Sequence, residues 1–322
     1  MKIVYLENTN RNNIKELYIG NQKRLATASG IQFIDKRYFI VCSMAGCKLY
    51  LYSINDDKND ITLLHSIDTT YDDKLSMTDL ISYRNGLVVG SNFNEGTQTM
   101  YKIDGNIIKH YKDIPNMNKK KNFCHGIKFY NDTIICVTNN KMFGINFIDI
   151  IKDKLLFVVK LKNPYDDPKD IEFINKTNSN KMFILATTSK VLTTGKPMVK
   201  SKKQNHMESN NIGKIIYCDI DVNNKKYDVL NEFVLNNSHT DSIVFYKNLI
   251  FVNNQISHTI DILFLQNEKI HYFRALSGFS FPHGITIEPN NNLLAVCNYG
   301  TNSVNIINLP DDVLNLIKSI SC

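Results

Sequence analysis

Six short stretches of this chain open in the same way. Each has a polar residue, then a small or polar or apolar one, then an apolar run that ends in a polar turn. They are Ser29-Gly30-Ile31, Asp79-Leu80-Ile81, His125-Gly126-Ile127, Lys169-Asp170-Ile171, Asp241-Ser242-Ile243 and His283-Gly284-Ile285. Their first residues, at 29, 79, 125, 169, 241 and 283, stand 50, 46, 44, 72 and 42 residues apart. A strand-rich unit of that size cannot bury its apolar faces alone, so a repeated one predicts a radial β-array. The repeat also places one polar side chain from each unit at one common level.

With four strands per unit, the spacing predicts an all-β fold: a six-bladed β-propeller of four-stranded antiparallel blades around a central channel. The reading takes residues 1–322 as a single propeller domain. Seven blades is the alternative, because both ends are ambiguous. Lys2 to Leu6 and Ile14 to Ile19 read as third and outer strands, and Val313 to Ile320 as an outer strand or as a helix after Pro310. Blade three is read as strands Gly126 to Tyr130, Thr133 to Thr138, Lys141 to Phe147 and Leu155 to Lys160, with a hairpin signal at Asn131-Asp132. Blade four has the long gap. Its excess, Leu192 to Gly213, has Gly, Pro, Lys, Ser and Asn but no apolar period, and reads as a mobile inserted loop.

Composition narrows the class. Hydrophobic residues make up 43% of 322, enough for a continuous core, and 21% charged residues with 16 Tyr and 17 Phe argue against disorder. A net charge of +7 is weak support for an anionic partner. Seven Cys, in spacings unlike a zinc knuckle, suggest reduced thiols. Cys42, Cys136 and Cys297 are read as equivalent buried positions in three blades. The first residues do not resemble a secretory leader, and no apolar run approaches the ~20 residues of a membrane span. A cytoplasmic location and no membrane partner are therefore expected. No phosphate-binding glycine loop, dinucleotide fingerprint or nucleophile elbow is present, nor a specific nucleic-acid motif.

The stretch Phe281-Pro282-His283-Gly284-Ile285-Thr286-Ile287-Glu288-Pro289, followed by Leu294 to Val304, resembles one blade of the NHL and YVTN propeller repeats. That wider group includes lactonases, paraoxonases, streptogramin lyase and the peptide α-amidating lyase. In the amidating lyase, Pro-His-Gly blade openings supply histidines to an axial zinc. The resemblance implies that role for His283 and for His125, where Cys124 replaces Pro. For a third ligand it leaves His239 or Asp241 open. The calcium-dependent gluconolactonase and paraoxonase group has an acidic ligand in its first inner strand, where this chain has Ser29.

Topology sharpens the site. An inner strand starts on the face where the second strand ends, so the ring residues share a face with the turns holding Asn92, Asn139, Asn253, His258 and Asn298. With six blades, His125 opposes His283 and Asp79 opposes Asp241. Imidazole and carboxylate suit a divalent metal, zinc or calcium, and can also exchange protons. The plainer explanation is that polar residues at the channel mouth satisfy backbone groups and hold water. Lysines 119–121, 196, 200, 202 and 203 would form a basic rim, or simply a solvated charge run. His65, His110 and His271 are expected on outer strands, and His206 lies in the long loop without an evident partner. The expected function is metal-assisted hydrolysis or elimination on a small, anionic-leaning molecule in the funnel. Metal would be held by His125 and His283 with His239 or Asp241. Asp79 and Asp241 would supply acid–base chemistry, and Asn92, Asn139, Asn253, His258 and Asn298 would bind substrate. The alternative is a non-catalytic scaffold for a protein or polyanion.

Overall fold

The computed structural model describes residues 2–5, 17–19, 22–24, 27–55, 61–93, 95–115, 123–139, 144–163, 166–174, 181–189, 211–235, 238–290 and 292–320. Among them are six four-stranded antiparallel sheets, each in simple up-and-down order, which together make a six-bladed β-propeller. The inner strands are Ala28–Phe33, Thr78–Arg84, Cys124–Phe129, Asp167–Phe173, Ile243–Tyr246 and Pro282–Glu288. Each inner strand neighbours the next blade's, and the sixth neighbours the first, so the ring is shut.

Closure joins the two ends of the chain. The outer strand of blade six is Lys2–Tyr5, antiparallel to Ser303–Asn308 in the register Lys2↔Ile306 to Tyr5↔Ser303. The last blade thus has no bare third-strand edge. The C-terminal segment is a helix, Asp311–Ile320, and not an outer strand. Pro310 precedes it, two aspartates occupy its first turn and Lys318 its last, as the helix dipole favours. It buries Val313 and Ile317 in the core between blades five and six.

That core is one of six, each wedged between adjacent blades. The second strands show why. In Tyr38–Ser43, Phe39 and Val41 pack toward blade six while Ile40 and Cys42 pack toward blade two. A strand buried on both faces reads as an unbroken apolar run, which is what Phe39-Ile40-Val41-Cys42 is.

In five of the six blades the repeated opening is a β-bulge. Register slips between Ala28 and Ile31, Thr78 and Ile81, Cys124 and Ile127, Pro168 and Asp170, and Pro282 and Ile285. In blade five the Oδ1 of Asn253 accepts the N–H groups of Asp241 and Ser242 at 2.9 and 2.6 Å. A bulge adds a residue and re-aims a side chain. The small residue after it has a packing cause: a Cβ on Gly126 would lie 2.6 Å from the carbonyl oxygen of Lys169 in the next blade. Gly284 abuts the Ser29 carbonyl in the same way.

Four readings need correction. Lys2–Tyr5, read as a third strand, is the outer strand of blade six, and Leu17–Ile19, read as part of an outer strand, pairs with Gln22–Arg24 outside the blades. The third strand of blade four is Asn211–Asp221, so Asn211, Ile212 and Gly213 are strand and not loop. The Gly213 N–H is held by Ser238 Oγ at 2.9 Å. Cys136 is not equivalent to Cys42 and Cys297. It pairs with Lys128 inside the ladder, whereas the other two stand opposite the bulge, where blade three has Thr138. Blade-three strands run Cys124–Phe129, Ile134–Asn139, Gly144–Asp149 and Lys154–Lys160, shifted by a few residues from the sequence reading. Residues 192–210, all the rim lysines and His206 lie outside the described residues.

Candidate metal centre

Bulges aim His125, His283 and Asp79 across the channel, and Asn253, holding the Asp241 N–H, positions Asp241 to meet them. The two imidazoles are 5.3 Å apart between ring centroids, tilted by 37°. His125 Nε2 lies 3.3 Å from Asp79 Oδ2 and 3.3 Å from Asp241 Oδ1. His283 Nε2 lies 3.6 Å from Asp79 Oδ1 and 3.6 Å from Asp241 Oδ2. All four residues are buried.

Both rings are locked by the neighbouring blade. His125 Nδ1–H donates to the Lys169 carbonyl at 2.9 Å, and His283 Nδ1–H to the Ser29 carbonyl at 3.1 Å. A carbonyl can only accept, so each Nδ1 has the proton and each Nε2 faces the axis. This is the outer-shell arrangement that orients metal-binding histidines. Donor atoms of Asp79, His125 and His283 all lie within 4.8 Å of one another. Tetrahedral zinc, with bonds of about 2.0–2.1 Å, needs donors roughly 3.4 Å apart, so contraction by up to roughly 1.4 Å would close the site.

Electrostatics couples the group. Burial works against a charge on His125, but Asp79 and Asp241 outweigh it and lift its pKa to about 9. For His283 burial prevails over the same two carboxylates, and its pKa falls below the usual 6.5. Asp241 is buried too, yet His239, His125 and His283 hold its carboxyl well below the usual range. Without metal, one imidazolium faces two carboxylates, a formal charge of −1. A dication with two neutral imidazoles brings the same group to zero, so the residues fit such an ion.

The other two ring positions do different work. Ser29 Oγ stays within the blades, against the carbonyls of Cys42 and Thr78 at 3.2 and 3.3 Å. Lys169 pairs with Asp167 at 3.1 Å. Burial opposes its charge, but Asp167, Asp241 and Asp79 keep its pKa raised.

The remaining sequence candidates are scattered. His239 joins through Asp241, Nε2 to Oδ2 at 3.6 Å. Asn92 spends its amide on Thr78, Thr97 and Thr99 in its own blade. Asn253 bridges the Asp241 and Ser242 N–H groups to the Pro282 carbonyl, the last at 2.8 Å. Asn298 accepts the Ser280 N–H at 3.0 Å, and Asn139 is fully buried. His258 is exposed and accepts the Phe281 N–H at 2.8 Å, which supports the turn before His283. His65, on an outer strand, accepts the Ile108 N–H of blade two at 3.3 Å.

Sequence reasoning missed the wall above the ring. Tyr299 stacks on His283 at 4.1 Å and sends its hydroxyl toward Asp79 Oδ1 at 3.4 Å and Met44 Sδ at 3.0 Å. Met44, Met77, Phe281 and Tyr299 form an apolar cluster, with Phe93 packed on it and edge-on to His125. The available signal was position: Tyr299 follows Asn298 in a turn already assigned to this face.

No family model and no curated protein matches the chain. Solved structures do. It is similar to Kuenenia stuttgartiensis hydrazine synthase, with a TM-score of 0.60 and 13% identity over 91% of this chain and 79% of that one. It is similar to a putative 6-phosphogluconolactonase from Bacteroides uniformis, with a TM-score of 0.57 and 11% identity over 94% and 87%. It is also similar to the WD40 propeller domain of Doa1, with a TM-score of 0.56 and 12% identity over 89% and 94%. At such identity the likeness carries the fold alone. No helix among the described residues is long and apolar enough to cross a membrane.

Proposed function

We propose that this propeller is a metal-assisted hydrolase or lyase acting on a small molecule at the channel mouth, close in architecture to the NHL and lactonase-like propellers. One observation carries the reading. His125 and His283, locked through Nδ1 on backbone carbonyls, present both Nε2 atoms beside the Asp79 carboxylate. Two imidazoles and one carboxylate favour zinc over calcium, which takes oxygen ligands. In that role Asp79 replaces His239 as the third ligand.

A bound ion would polarise a carbonyl or activate water. The protein's own groups do the rest. Asp241, whose Oδ1 lies 3.3 Å from His125 Nε2, is placed to take a proton from substrate or water there. Tyr299 packs the ring of His283 and borders the site with Met44 and Phe281, so the surroundings are apolar on that side. Such a wall excludes water and strengthens the charge interactions within. The Lys169 ammonium, fixed on Asp167, adds a positive field that favours a carboxylate or phosphate on the substrate.

The test is the metal content of purified protein, measured by inductively coupled plasma mass spectrometry on the wild type and on His283→Ala. Stoichiometric zinc in the first and none in the second supports the proposal. Protein that neither contains nor takes up a divalent metal would leave the scaffold reading, in which the His–Asp group only ties the blades together.

A further inference from the structure

The other end of the channel has a second ring. The side chain three positions after each ring residue again faces the axis, with a bulge adding the extra residue in five of the blades. Those positions are Gln32, Ser82, Lys128, Glu172, Val244 and Thr286. At about 3.3 Å per residue they lie roughly 10 Å further along the channel. All six border a cavity of about 300 Å³. Just below, Tyr83, Phe129, Phe173 and Phe245 form an aromatic collar around it.

The polar groups here are spare, unlike those at the opposite end. Lys128 Nζ holds Glu172 Oε2 at 2.9 Å, and its other two N–H donors have no partner among the described residues. Gln32 donates to Thr286 Oγ1 at 3.3 Å, which leaves its Oε1 and the threonine proton to spare. Ser82 Oγ accepts the Phe129 N–H at 3.3 Å and keeps its own proton. Spare donors of Ser82, Lys128 and Thr286 and a spare acceptor of Gln32 therefore border one small space. Its charges are already matched, Lys128 with Glu172 and Arg84 with Asp132. An ionic guest would leave a charge unpaired in a confined site, at high cost. A hydroxyl both donates and accepts, and aromatic faces pack on C–H surfaces.

We infer that this cavity is a binding site for a neutral, polyhydroxylated molecule of monosaccharide size. At about 30 Å³ per water, 300 Å³ holds about ten waters, the bulk of one pyranose or cyclitol ring. The site is independent of the metal centre and does not rest on it.

Saturation-transfer NMR on the full chain tests this with D-glucose, D-galactose and myo-inositol as neutral probes, and glycine and inorganic phosphate as charged ones. We expect saturable binding of at least one neutral probe. Gln32→Ala and Thr286→Val, which bury no new charge, should each weaken it by about tenfold, the loss of one or two hydrogen bonds. Both variants should keep wild-type near-ultraviolet circular dichroism and metal content. Failure of all three neutral probes to bind overturns the inference. So does binding of the charged probes alone, or neutral binding unaltered in both variants.

Discussion

The two ends of this channel are built from the same six strands and behave oppositely. At one end, four charged or titratable groups converge with every Nδ1 and many backbone groups already engaged, under an apolar lid of Met44, Phe281 and Tyr299. At the other, Lys128 and Glu172 neutralise each other on the channel wall and hydrogen-bonding capacity is left over around a small space. The difference teaches how a repeat divides labour. Ring positions gather charge toward the axis, while positions three residues on leave a space with no net charge among them. The first arrangement suits an ion, the second a guest rich in hydroxyls.

The comparison breaks most sharply at the histidines. His125→Ala and His283→Ala should each lower metal affinity by more than the roughly 10–100-fold that outer-shell losses produce. Equilibrium dialysis against zinc measures it, and circular dichroism should remain β-rich. His65→Ala, on an outer strand, should leave zinc affinity unchanged. Equal losses at all three would mean that the converging geometry is irrelevant to metal.

A backbone test comes next in size. Gly126→Ala would push a Cβ to 2.5 Å from the Asp170 Cα, where a rigid neighbouring strand cannot yield. It should cost ~1–3 kcal/mol in urea denaturation, the scale of overpacking. A cost below about 0.5 kcal/mol would mean that close blade contact at the bulge is not what demands the small residue.

The pH dependence separates loaded from metal-free protein. His125, raised to about 9 from 6.5, adds stability that is present in full below pH 6.5 and is lost as pH climbs through 9. His283 is lowered, so its contribution is present above 6.5 and fades as acid forces the proton on. Asp241, also lowered, loses its contribution at still lower pH. Chelated protein should therefore be most stable near neutral pH. Zinc replaces the His125 proton, so the loaded protein should keep its stability from about pH 7 to 9. Identical alkaline limbs with and without zinc, in thermal melts, would count against a shared site.

The smallest expected effect is Tyr299→Phe. It removes a weak 3.4 Å hydrogen bond to Asp79 but keeps the stack on His283. A change of about 0.5–1.5 kcal/mol in stability, with metal still bound, is anticipated. Loss of metal in this variant would promote Tyr299 from wall to ligand support.

Much of the fold was legible because it is periodic. The blade count followed from six openings, and the pairs His125/His283 and Asp79/Asp241 followed from six-fold geometry. Strand ends in blades three and four were misplaced by a few residues, since Gly213 and Asn211 look like loop residues until Ser238 and the partner strands are present to pair with them. Cys136 was aligned with Cys42 because both sit in apolar runs, and alternation along a doubly buried strand leaves no mark of which face a cysteine takes. The asparagines were assigned correctly to one end of the blades, yet Asn92 and Asn253 turn into the blades, because buried backbone and hydroxyl groups there need partners.

What the chain by itself determined was the repeat, and with it the six blades, their inner strands and the four axial residues, because period and apolar pattern are local properties. Pairing of the two chain ends in one blade was also legible, but tertiary structure alone decided that Lys2–Tyr5 is its outer and not its third strand, and that the bulges turn both Nε2 atoms inward. It also decided that Gln32, Lys128 and Thr286 meet around a second space. Those outcomes depend on strands hundreds of residues apart closing one ring, and the parity shift at a bulge exists only once a partner strand sets the register.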